Sequence, residues 1–211
     1  MEIHCFSVNP FYENTYLFWT DPDQAVLIDP GFYTPVEEQQ FLSFLESNEL
    51  TLSKLILTHA HVDHVFGLQF IFKNFGLKPC LHASEMTIYR SANAVSGMYG
   101  LRQFEYPEPG EYLEAGPGQT FGGVNFDVFY TPGHSPGSLS FYAPDHGVLF
   151  SGDVLFEGSI GRTDLPGGDF DTLIRSIRTE LFPLPGQTRV YSGHGGVTTI
   201  GQERVTNPFL Q

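Results

Sequence analysis

The segment that most constrains this chain is Thr58-His59-Ala60-His61-Val62-Asp63-His64, which follows directly on the short apolar run 54–58. Four side chains able to bind metal, His59, His61, Asp63 and His64, fall within six residues. Imidazoles at i and i+2 cannot share one face of a helix, but a loop leaving a strand can aim both at one ion. The next two donors, one turn further on, can then face a neighbouring ion. No cysteine lies nearby, so the mixed imidazole and carboxylate set suits Zn, Fe or Mn rather than a structural thiolate zinc site. Any fold that uses this segment has to bring further donors to it.

Three later places repeat one theme, an apolar run that ends in a donor beside glycine. They are Phe129-Tyr130-Thr131-Pro132-Gly133-His134, Leu149-Phe150-Ser151-Gly152-Asp153 and Val190-Tyr191-Ser192-Gly193-His194. Glycine at such points permits close backbone approach or a positive φ. Together with the histidine cluster they give seven donors: His59, His61, Asp63, His64, His134, Asp153 and His194. That number suits two divalent ions sharing one carboxylate.

Periodicity supplies the elements that carry these ends. Runs 3–8, 15–20, 24–28, 54–58, 79–82, 124–130, 138–142, 148–150 and 189–192 read as strands. The spacing of Val36, Phe41, Phe44 and Leu45 predicts an amphipathic helix over 34–48, with Pro35 in its first turn. Further helices are expected over 65–75, 83–94 and 169–181, and 97–118 reads as a long surface loop. Strands at both ends with helices between them predict an α/β domain over 1–211, with helices covering a two-sheet core.

Composition narrows the partners. Hydrophobic residues are 41% of the 211 and charged residues 16%, which excludes disorder as the main state. The net charge is −14, from 10 basic and 24 acidic residues. Such a surface repels phosphate backbones and anionic lipid, so a small-molecule substrate is expected rather than nucleic acid or membrane. The N-terminus has no basic segment followed by an apolar run, and a cytoplasmic location is expected. Cys5 and Cys80 are far apart in sequence, and each is expected to be a buried structural thiol.

The His59-x-His61-x-Asp63-His64 segment, followed in order by His134, Asp153 and His194, resembles the metallo-β-lactamase superfamily. The run from Phe156 through Gly161-Arg162-Thr163-Asp164 resembles its glyoxalase II-like (hydroxyacylglutathione hydrolase) branch. The resemblance implies an αββα sandwich of two mixed sheets flanked by helices, with the site at one edge of the sheets. It implies His59, His61 and His134 on one ion, Asp63, His64 and His194 on the other, and Asp153 bridging. Asp29 matches an acidic position that orients ligands. Glyoxalase II proper carries a helical C-terminal extension whose basic residues hold glutathione. Residues 195–211 are expected to hold no such extension, which leaves the identity of the thiol open.

The implied activity is binuclear metal-dependent hydrolysis of a thioester, by attack of a metal-bound hydroxide, with Asp63 and Asp153 as its carboxylates. Zinc is the expected metal, with iron or manganese as alternatives. Two divalent ions outweigh these carboxylates and one hydroxide, which leaves net positive charge for an oxyanion. A thiolate leaving group, with a thiol pKa of about 8.5, departs without a strong acid. Persulfide dioxygenases resemble the chain as well, and their chemistry needs a single iron held by two His and one Asp. Hydrolysis of another ester or a lactone is a further alternative. Arg162 is the candidate substrate anchor, with an ion pair to Asp164 as the competing role. Gly133-His134-Ser135-Pro136-Gly137 matches a nucleophile elbow formally, but Pro136 has no N–H to donate to an oxyanion, so Ser135 reads as a turn residue. Among the remaining histidines, His82 is expected to be packed or capped, and His4 and His146 to lie at the surface. Tyr89, Tyr99, Phe104 and Tyr106 are candidate pocket walls.

Overall fold

The computed structural model describes residues 1–211. The first sheet contains β1 (Glu2–Val8), β2 (Glu13–Trp19), β3 (Ala25–Ile28), β4 (Leu52–Ile56), β5 (Cys80–Leu81) and β6 (Glu111–Tyr112), in that spatial order. The pairs β1–β2 and β2–β3 are antiparallel, and β3 to β6 run parallel. The second sheet has the order β14 (Thr198–Thr199), β13 (Arg189–Ser192), β10 (Val148–Gly152), β9 (Leu139–Ala143), β8 (Val124–Tyr130) and β7 (Gly116–Phe121). A short hairpin, β11 (Leu155–Phe156) with β12 (Ser159–Ile160), stands apart.

Helices α1 (Pro35–Ser47), α2 (Val62–Val65), α3 (Leu68–Phe75) and α4 (Met86–Met98) follow strands of the first sheet. Helices α5 (Phe170–Ser176) and α6 (Ile200–Thr206) belong to the second half. The start of α1 is set locally. Thr34 accepts from the Glu37 N–H at 3.3 Å while Glu37 accepts from the Thr34 N–H at 2.9 Å, and Pro35 occupies the first turn.

Strand alternation builds the layers. Tyr16, Phe18, Val26, Ile28 and Ile56 face one way into a core shared with Phe126, Phe141 and Phe150 of the other sheet. Leu17, Leu27 and Leu55 face the other way, onto Phe41 and Leu45 of α1 and Leu68 and Ile71 of α3. Leu149 and Val190 face away from the inter-sheet core, onto Leu173, Ile177 and Leu181. The result is the αββα sandwich, in which β2 and β3 are apolar on both faces because both are covered. Between the sheets the Phe18 ring lies 5.3 Å from Phe126 and 5.7 Å from Phe150. Each such buried ring stabilises the stack by about 1.5–3 kcal/mol.

Parallel pairing brings several strand ends to one edge. β3 and β4 are parallel, as are β10 and β13, and β8 runs with β10 because both are antiparallel to β9. The edges of the two sheets are tied where these strands finish. The Leu139 N–H donates to the Thr58 carbonyl at 2.9 Å, the Asn14 N–H to the Gly193 carbonyl at 2.7 Å, and the Tyr16 hydroxyl to the Ser192 carbonyl at 2.7 Å. No helix is long and apolar enough to cross a membrane.

Some local expectations change. The segment expected to be one long loop holds the end of α4, all of β6 and the start of β7, and the helix expected over 65–75 is split at Phe66-Gly67. The helix expected over 169–181 ends at Ser176 and continues as a π-helical turn, Ile177–Leu181. Cys80 is buried as expected, but Cys5 lies exposed on the edge strand β1. His4 is half-buried, its ring stacked 4.0 Å from that of Phe44. His82 caps the turn before α4, accepting from the Ser84 N–H at 3.2 Å.

Candidate metal centre

Every donor of the site follows the end of a strand or sits on the first helical turn after one. β3 delivers Asp29, β4 delivers His59 and His61, and α2 carries Asp63 and His64. β8 leads to His134, β10 to Asp153 and β13 to His194. Glycine is required beside two of them. Gly152 has φ 51° and lies so close to the Thr58 side chain that a Cβ would overlap it, and a Cβ on Gly193 would overlap Asp153 Oδ1.

Two donor groups result. His59, His61 and His134 present one ligand atom each within 4.8 Å of one another, and so do Asp63, His64 and His194. His61 Nδ1 lies 2.7 Å from His134 Nε2, which lies 3.2 Å from His59 Nε2. Asp153 stands between the groups. Its Oδ1 is 3.4 Å from His64 Nε2, and its Oδ2 is 3.5 Å from His194 Nε2 and 3.6 Å from His134 Nε2. Asp63 Oδ2 is 3.2 Å from His194 Nε2.

Four of the five histidines have the rear nitrogen occupied, which leaves the inward one free to bind, while His61, whose Nδ1 faces His134, has no such partner. His134 Nδ1 donates to the Arg162 carbonyl at 2.8 Å, and His194 Nδ1 to the Phe11 carbonyl at 3.1 Å. His64 Nδ1 donates to Asp29 at 3.1 Å, and His59 Nδ1 donates to the Thr58 hydroxyl at 3.0 Å. That hydroxyl passes its own hydrogen to Asp29 at 2.5 Å, and the Thr58 N–H donates to the same carboxylate at 2.7 Å. Asp29, His59 and His64 therefore cluster because Asp29 holds the back of the site.

Charge separates the two halves. Burial, with the neighbouring imidazoles, holds His59 well below the ordinary pKa and brings His61 down to about 3, and burial lowers His134 as well. These are neutral imidazoles with free lone pairs. Burial opposes charge on His64 too, but the Asp153 and Asp63 carboxylates override it and hold its pKa well above the ordinary value. Burial likewise opposes charge on His194, and hydrogen bonds to Asp153 and Asp63 prevail, raising it to about 10. Without an ion, protons hold this half together. His64 Nε2 and Asp153 Oδ1 still lack a hydrogen-bond partner, although both are buried and face each other. Neutral imidazoles on one side, carboxylates on the other and orphaned donors aimed inward fit divalent cations.

A cleft of about 430 Å³ opens over these residues. Besides the donors His61, Asp63, His134, Asp153 and His194 its lining is apolar except for Ser91, Tyr99 and Arg162. The Arg162 side chain is exposed and makes two 2.7 Å hydrogen bonds to Asp164, so the expected ion pair is present at the mouth of the cleft. Of the four candidate aromatic walls only Tyr99 lines the cleft, and Tyr89 and Phe104 are buried in packing. Ser135 is buried and donates to Glu85, in keeping with a turn residue.

Sequence reasoning missed two buried acids. Glu13 is fully buried beside Thr15, with Oε1 unpaired 3.7 Å from His64 Nδ1, and burial pushes its pKa well up. Glu85 is equally buried. Glu13 opens a strand and Glu85 precedes a helix, positions where acids are usually solvated, so nothing local marks either.

A chain with this sandwich and this donor edge is a metallo-hydrolase, and it belongs to the metallo-β-lactamase superfamily, whose family model matches residues 8–194. Among relatives, it is 38% identical to hydroxyacylglutathione hydrolase GloC of Haemophilus influenzae, over 100% of this chain and 98% of that protein. Among solved structures it is similar to BLEG-1 B3 metallo-β-lactamase, with TM-score 0.89, 39% identity and complete coverage of both chains. TTHA1623, crystallised in a di-iron-bound form, matches with TM-score 0.89 and 40% identity over 98% of this chain and all of that one.

Proposed function

We propose that this protein is a binuclear metal-dependent thioesterase of the glyoxalase II-like kind, with Asp153 shared between a three-histidine ion and an Asp63–His64–His194 ion. The observation that carries this reading is the central carboxylate, within 3.6 Å of a histidine from each donor group, with its Oδ1 unpaired. Two divalent ions held there supply a water nucleophile at neutral pH and an electrophile for the carbonyl oxygen. Asp63, which lines the cleft 3.2 Å from His194, would help hold the second ion and offset its charge.

The apolar lining excludes bulk solvent and receives the carbon chain of an acyl or thiol group, and Arg162 at the mouth binds a carboxylate on it. No carboxylic acid beyond the metal donors lines the cleft, which favours a thiolate over an alkoxide. The likeness to GloC over the whole chain supports the same choice. Zinc is the first metal assignment, and the di-iron form of a 40% identical structure supports iron as the alternative. A small-molecule substrate fits the charge of −14, and cytoplasmic action fits two free thiols.

Turnover of a panel of thioesters, matched oxygen esters and lactones by the metal-loaded protein tests this. Thioesters are expected to lead in kcat/KM. Faster cleavage of oxygen esters or lactones would overturn the substrate assignment.

A further inference from the structure

The least expected group near the site is the Glu85 carboxylate, which touches no metal donor and no cation. It is completely buried, at 0% exposure, at the start of α4. Its partners are all neutral donors from two other loops. Glu85 Oε2 accepts from the Ala60 N–H at 2.9 Å, and Oε1 accepts from the Gly137 N–H at 2.5 Å. The Ser135 hydroxyl reaches both oxygens, at 2.6 and 2.7 Å.

The identity of those loops gives the contact its meaning. Ala60 is the residue between His59 and His61, and Ser135 follows His134 directly. One carboxylate therefore joins the β4 loop of the first sheet to the β8 loop of the second, at the positions that deliver all three histidines of one donor group. The loops it joins carry the tightest spacing between two donor nitrogens, 2.7 Å between His61 Nδ1 and His134 Nε2. The Asp63–His64–His194 group is tied by other residues, with Asp29 on His64, the Phe11 carbonyl on His194, Asn9 on the Asp63 carbonyl and Asn14 on the Ser192 and Gly195 carbonyls, and Glu85 bonds to none of them.

A buried carboxylate is a costly clamp, since burial disfavours its charge while the Ser135, Gly137 and Ala60 donors favour it. A neutral side chain does less well here. A carboxylate offers acceptors on both oxygens, whereas an amide turns an NH2 toward one of two backbone N–H groups and opposes donor to donor.

We propose that Glu85 is a positioning residue that sets the geometry of the three-histidine ion specifically, by holding the Ala60 and Ser135–Gly137 backbones at a fixed separation. The proposal rests on the two-ion reading above.

The test is metal binding, measured by competition with a chromophoric chelator on wild type, Glu85→Gln and Ser135→Ala. The visible spectrum of the Co(II)-loaded protein identifies which site is altered. Glu85→Gln is expected to weaken the three-histidine ion by about 10–100-fold and change its Co(II) spectrum, as loss of a ligand's support does. The Asp63–His64–His194 ion should keep its affinity, and kcat should fall with KM unchanged. Ser135→Ala keeps both backbone hydrogen bonds and should show a smaller loss at the same ion, so it decides the matter if Glu85→Gln does not fold. Equal loss at both ions, or wild-type affinity and spectrum in the variant that folds, would overturn the positioning role while leaving the two-ion reading intact. A wild-type protein that binds no ion would overturn both.

Discussion

Asp153 Oδ1 and His64 Nε2 face each other across 3.4 Å in the protein interior, and neither has a hydrogen-bond partner. A protein rarely leaves two such atoms bare, because each lost hydrogen bond costs about 1–3 kcal/mol. In the two-ion reading a cation between them would supply the missing partner. His64→Ala or His194→Ala should then leave about one metal per chain and lower thioester turnover by orders of magnitude. Elemental analysis of each variant beside its rate checks this.

Asp29 accepts from the Thr58 N–H, the Thr58 hydroxyl and His64 Nδ1, and so holds the rear of both histidine groups. Asp29→Asn retains one oxygen and sets an NH2 against a donor. Metal affinity should fall by about 10–100-fold, with a stability loss of about 1–3 kcal/mol from the unpaired group. Chelator competition and denaturant unfolding of the loaded protein measure the two effects separately.

The part of Arg162 that touches the site is its carbonyl, 2.8 Å from His134 Nδ1. Arg162→Ala keeps that carbonyl and removes only the exposed guanidinium beside Asp164. Metal content and melting temperature should stay at the wild-type level, while KM rises several-fold for thioesters bearing a carboxylate and not for neutral ones. Steady-state kinetics on a charged and an uncharged thioester of equal size distinguish this from an ordinary surface ion pair, whose loss would alter neither.

Metal removal should expose an alkaline loss of stability that the loaded protein lacks. His59, His61 and His134 are held below their unfolded pKa, so the unfolded chain binds more protons below pH 6.5 and stability falls on acidification. His64 and His194 are held above it, His194 at about 10, so the folded chain binds more protons above pH 6.5 and stability falls as pH rises toward 10. Melting curves of chelator-treated protein should peak near pH 6.5 and decline on both sides. Bound ions replace the protons on His64 and His194, and the alkaline decline should vanish on reloading.

The donors were legible because each stands just past an apolar strand, and parallel pairing gathers strand ends at one edge. The run His59-x-His61 in particular rules out a helix face and requires a loop. What supports the donors was not legible, because burial is a tertiary property. Glu13 and Glu85 look like solvated acids until both sheets close over them. Gly116-Pro117-Gly118 disguised β7, which becomes a strand only by pairing with β8. The two-residue strands β5, β6 and β14 likewise depend on their neighbours. Cys5 looked like a core thiol, and its exposure follows from the edge position of β1.

The central claim is a two-ion hydrolase, and metal stoichiometry of freshly purified protein, with thioester hydrolysis and persulfide-dependent oxygen uptake assayed on the same sample, tests it most directly. The account predicts two metals per chain, thioester hydrolysis and no oxygen uptake. A single iron per chain, unchanged in His64→Ala and His194→Ala, together with oxygen uptake on addition of a persulfide, would contradict it.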